Sequence, residues 1–100
     1  MASSPSPQKK TLHLVIHGRV QGVFFRDSMR REAESHGVYG WVRNRSDGSV
    51  EVLAQGSADQ LAGLHGKLRE GPRASRVDEV QVSNVQPDEG IQSFRIEGVW

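Results

Sequence analysis

The residues most able to do chemistry lie in the stretch Gly18-Arg19-Val20-Gln21-Gly22-Val23-Phe24-Phe25-Arg26. An alternating apolar segment, Leu12-His13-Leu14-Val15-Ile16-His17, precedes it, and Phe25, Met29 and Ala33 follow at helical spacing, so a strand enters this corner and a helix leaves it. The first N–H groups of a helix have no intrahelical partner and carry the positive end of its dipole, which suits an anion. Glycines at 18 and 22 allow backbone angles that a Cβ forbids, so several N–H groups can converge on one point. Arg26 adds a planar guanidinium whose fork matches a phosphate or carboxylate. The chemistry these residues could do is anion binding in a phosphate cradle. The same residues also fit a plain turn followed by a solvated arginine. Spacing leaves both open, because neither the phosphate-loop G-x-x-x-x-G-K-[ST] nor the dinucleotide G-x-G-x-x-G is present.

Other candidates are weaker. On a strand, His13 and His17 are separated by roughly 13 Å, too far for two imidazoles to share one ion. With His36 and His65 elsewhere and no acidic cluster beside them, no metal site is expected. Asn44 precedes a turn, where an asparagine can simply bond its own backbone.

The elements that must position these residues follow from pattern. A strand is expected over about 11–17, with Leu12, Leu14 and Ile16 on one face, and a helix over about 25–36 stopped by Gly37. A second strand over about 38–45, a turn at Ser46-Asp47-Gly48-Ser49 and a third strand over 50–55 form a hairpin, since Asp-Gly between two strand-like runs is a strong turn signal. Val42 and Asn44 share one face of the second strand. A capping box at Ser57-Ala58-Asp59-Gln60 opens a second helix bearing Leu61, Leu64 and Leu68, and Gly71-Pro72 ends it. Gly63 and Gly66 inside it each cost about 1 kcal/mol against alanine. Strands over 77–85 and about 92–98 close the chain, with a turn at 87–90 between them and Phe94 and Ile96 on one face of the last. The order is β-α-β-β-α-β plus a further strand. A mainly antiparallel sheet with both helices on one face buries both helical stripes, which is the ferredoxin-like α+β sandwich. That fold hosts many functions and settles none.

Composition sets limits. One hundred residues suit one small domain, taken as 10–100 behind a polar, proline-bearing tail over 1–9 that is expected to be disordered. Net charge is +1 from 13 basic and 12 acidic residues, so no global field favours nucleic acid or an anionic membrane, and any anion site is local. Cysteine is absent, which excludes thiolate nucleophiles and Cys-based zinc sites. No apolar run approaches the ~18 residues of a membrane span. A cytoplasmic monomer is expected.

Two segments add more than periodicity can. Gly18 to Arg26, together with Gly40-Trp41-Val42-Arg43-Asn44-Arg45-Ser46-Asp47-Gly48-Ser49-Val50-Glu51, resembles the two signature blocks of the acylphosphatases. Gly71-Pro72 and the Phe94-x-Ile96 ending extend the likeness over about 9–97. The resemblance implies a small ferredoxin-like hydrolase that cleaves the carboxyl-phosphate bond of acyl phosphates without metal or cofactor. It further implies that Arg26 binds the phosphoryl group and Asn44 orients the attacking water. The N–H groups of Val20, Gln21, Gly22, Val23, Phe24 and Phe25 would complete the phosphate loop. Trp41, Arg43, Asp47 and Gly48 read as an anchor, a surface charge and turn chemistry. His36 stands where similar sequences usually carry leucine, and is expected to weaken packing at the end of the first helix; Trp100 is assigned no role. Competing readings are a non-catalytic acyl-phosphate or phosphate-binding domain, and an RNA-binding module that would stack bases on Trp41 and Tyr39.

Overall fold

A computed structural model describes residues 9–22, 24–72 and 75–97. The tail expected over 1–9 lies almost wholly outside the described residues, as do Val23, Gly98 and Trp100. The elements run β1 (Lys10–Arg19), α1 (Phe25–His36), β2 (Tyr39–Asn44), β3 (Val50–Gly56), α2 (Ala58–Glu70), β4 (Arg76–Val85) and β5 (Phe94–Ile96). They form one five-stranded sheet in the order β4-β1-β3-β2-β5, antiparallel except where β5 pairs in parallel with β2. This is the ferredoxin-like α+β fold.

Alternation explains the core. Leu14 and Ile16 of β1 lie opposite Val52 and Val50 of β3, and Val42 of β2 also faces Val52, so the centre of the sheet is a patch of branched side chains. Onto it pack Phe25, Met29 and Ala33 of α1 and Leu61, Leu64 and Leu68 of α2. Burying each large apolar side chain contributes about 1.5–3 kcal/mol. α2 starts on a reciprocal capping box: the Gln60 N–H donates to Ser57 Oγ, and the Ser57 N–H donates to Gln60 Oε1 at 2.8 Å.

Three elements differ from expectation for tertiary reasons. β1 continues to Arg19 past a register shift at His17/Gly18, where a Cβ on Gly18 would come 2.0 Å from the Arg76 carbonyl oxygen. Only glycine allows β4 to follow the strand that far. β5 spans Phe94–Ile96 and, among the described residues of the expected 92–98, leaves out 92, 93 and 97, because it pairs with β2 only along Gly40, Trp41 and Val42. β2 begins at Tyr39 because the Val38 N–H is spent on the Ala33 carbonyl at the end of α1.

His36 does not leave the helix end loose. Its ring lies where a Cβ of Gly63 would be, 2.5 Å from Cδ2, and Nδ1 is 2.8 Å from the Glu32 carbonyl oxygen. Gly63, which costs helix propensity, is the socket that lets α1 and α2 approach.

Candidate active site

β1 and β2 end at the same edge of the molecule, since each is antiparallel to β3. The chain leaving β1 buries Val20, turns at Gly22 with φ 74°, and enters α1 through Phe24, which adopts φ 60°. Phe24, at the N-cap of α1, makes no side-chain capping bond, and among the described residues no capping oxygen is recorded at this helix end, which leaves it suited to an anion. A cavity of about 290 Å³ opens there. It is lined by Val20, Gly22, Phe24, Phe25 and Arg26 from the loop and first helical turn, and by Asn44 from the end of β2. Asp27 and Ile96 complete the lining.

Asn44 is the telling residue. Its Oδ1 is buried and has no hydrogen-bond partner among the described residues, a state that costs about 1–3 kcal/mol unless something else satisfies it. The turn beside it is held by others: Asp47 Oδ1 accepts from both the N–H and the hydroxyl of Ser49, and the Arg45 N–H donates to the Ser49 carbonyl. Those two Ser49 bonds, hydroxyl first, hold the Asp47 carboxyl below its ordinary pKa. The Asn44 acceptor is therefore not consumed by the turn.

Gln21 sits in the expected loop, but its side chain does not line the cavity. Nε2 donates to the Arg45 and Ser49 carbonyls, each at 2.8 Å, and so ties the loop to the hairpin carrying Asn44. Val23 lies outside the described residues. Sequence reasoning missed Asp27 and Ile96. Asp27, in the first turn of α1 and 3.5 Å from both Arg30 and Arg31, looks like ordinary dipole complementation. Ile96 shares its strand face with Phe94, yet Phe94 is buried in the core while Ile96 reaches the cavity mouth.

The rest of the molecule is occupied differently. His13 Nε2 is 2.5 Å from Glu51 Oε2, and His17 Nε2 lies 3.4 Å from Gln81 Oε1. Among the described residues no three His, Asp or Glu side chains gather as metal ligands would. The Arg43 guanidinium lies over one face of the Trp41 ring, 4.6 Å from its centroid, and occupies a face on which a base would stack. Among the described residues no helix is long and apolar enough to cross a membrane.

Residues 12–96 match the protein family described as Acylphosphatase. An acylphosphatase of Koribacter versatilis is 48% identical over 98% of this chain and 89% of its own length. One from Thiobacillus denitrificans is 56% identical over 77% of this chain and 86% of its own. The crystal structure of acylphosphatase from Bacillus subtilis superposes with a TM-score of 0.85 at 35% identity, covering 89% of this chain and 99% of that one.

Proposed function

The chain belongs to the acylphosphatase family and is a hydrolase of acyl phosphates; from that premise we propose that Arg26 and Asn44 are the pair that carries the reaction. The N–H groups of the loop, from Val20 to Phe25, together with the Arg26 guanidinium hold the phosphoryl oxygens, where charge gathers in the transition state. A water donates a hydrogen bond to Asn44 Oδ1, which fixes its line of attack on phosphorus. As the water oxygen bonds to phosphorus, the bond from phosphorus to the acyl oxygen breaks and its electron pair leaves on a carboxylate. The leaving group is good, so no general acid is required. Asn44 is no base at ordinary pH; the water's proton passes to a phosphate oxygen of the substrate itself.

The observation that carries this reading is the buried Asn44 acceptor, without a partner among the described residues, lining the same cavity as Arg26. Hydrolysis of benzoyl phosphate by the purified protein with a chelator present is the test. Arg26→Ala is expected to lower kcat/KM by about 100-fold or more, the scale of losing one oxyanion donor. Asn44→Ala is expected to lower kcat with KM little changed. Full turnover by Asn44→Ala would refute its role.

A further inference from the structure

The same cavity has two kinds of wall. Arg26 and Asn44 bring polar groups to the lining, assigned above to the phosphoryl group and the attacking water, whereas Phe24 and Ile96 present apolar surface. Phe24 is the stranger of the two. It is the one non-glycine residue with positive φ among the described residues, and its side chain is 83% exposed. An L residue rarely adopts that conformation, and glycine would hold it without strain, as Gly22 does two positions earlier at φ 74°. Nor does the ring help the core, because it gains nothing from burial. Strain and exposure combined on a cavity rim point to a residue kept for what enters the cavity. Ile96 repeats the pattern on β5: 38% exposed, while Phe94 on the same face is buried at 4%.

Resting on the hydrolase reading above, we propose that Phe24 and Ile96 form the seat for the acyl group, and that the preferred substrates are acyl phosphates with an apolar, flat acyl group. Once the phosphoryl group occupies the loop, the acyl group extends into the remaining lining. A planar arene can stack on the exposed Phe24 ring and contact Ile96, removing both from water. Asp27 adds a carboxylate to the same lining and disfavours acyl groups that bear their own negative charge.

The test compares kcat/KM for benzoyl, acetyl and succinyl phosphate in the wild type, Phe24→Gly, Ile96→Thr and Asp27→Asn. Glycine relieves the strained backbone, so Phe24→Gly is expected to melt no lower than the wild type, and a change in selectivity is not misfolding. The benzoyl-to-acetyl ratio is expected to fall roughly five- to tenfold in Phe24→Gly and in Ile96→Thr, the scale of a lost apolar contact in a specificity pocket. Asp27→Asn is expected to raise succinyl phosphate relative to acetyl phosphate. A benzoyl-to-acetyl ratio that moves by less than about twofold in both apolar variants overturns the inference while leaving the hydrolase reading intact. A wild type that turns over none of the three substrates overturns that reading and this one with it. If the ring serves instead to seat a second copy of the chain, the wild type dimerises, Phe24→Gly does not, and the ratio stays fixed, which also overturns the proposal.

Discussion

Gln21 shows how much one carboxamide can do away from the reacting atoms. Its two 2.8 Å bonds to the Arg45 and Ser49 carbonyls bridge the loop proposed to receive phosphate and the hairpin that holds Asn44. Gln21→Ala is therefore expected to lower kcat by roughly tenfold through misplacement of the water, while inhibition by inorganic phosphate is little changed. Equal losses in both would mean that the whole loop had collapsed. Sequence pattern located Gln21 but not its task, because a side chain's direction in an irregular loop follows from tertiary neighbours rather than from periodicity. Glu51 carries a second prediction. Burial is the strongest single influence on it and raises its pKa, but the hydrogen bonds from Arg43 and His13 and their charges outweigh burial and leave it below the ordinary 4.5. A carboxyl more acidic when folded than when unfolded adds stability above its unfolded pKa and loses it as pH falls through the folded one. Melting temperature should thus drop on acidification from about pH 6 to pH 3, and drop less steeply in Glu51→Gln.

At the scale of the element, α1 was readable from end to end because its signals are local. The stripe Phe25, Met29 and Ala33 sets its face, and Gly37 at φ 73° stops it. β5 was not, since its length depends on a partner far away in the chain. Gly63 is the instructive case: propensity scales treat it as a fault, yet the His36 ring fills the space its missing side chain leaves. Gly63→Ala should gain about 1 kcal/mol of helix propensity and still destabilise the protein by about 1–2 kcal/mol, because the ring must leave the Glu32 carbonyl. The double variant Gly63→Ala/His36→Ala should recover most of that loss in denaturant melts. Additive costs would show that the two residues do not share one space.

Across the whole molecule, β1, β2 and β5 point the same way, so the loop, the Asn44 amide and the apolar side chains of the lining all gather at the ends of strands that run in one direction. The order of elements could be read from the sequence, but this convergence depends on β5 joining β2 in parallel, which only the assembled sheet specifies. Because the binding groups exist as a set only in the folded state, phosphate should stabilise it, by about 2.7 kcal/mol at a hundred times its dissociation constant. Calorimetry with rising phosphate should raise the melting temperature of the wild type and leave Arg26→Ala flat. The orientation of the strands has a practical side as well. Lys10 starts β1 opposite Gly56, at the far pole from the mouth. Immobilisation through the segment ahead of Lys10 would turn the reactive opening toward the bulk liquid, whereas a bead or fluorescent fusion joined beyond Glu97 would crowd it.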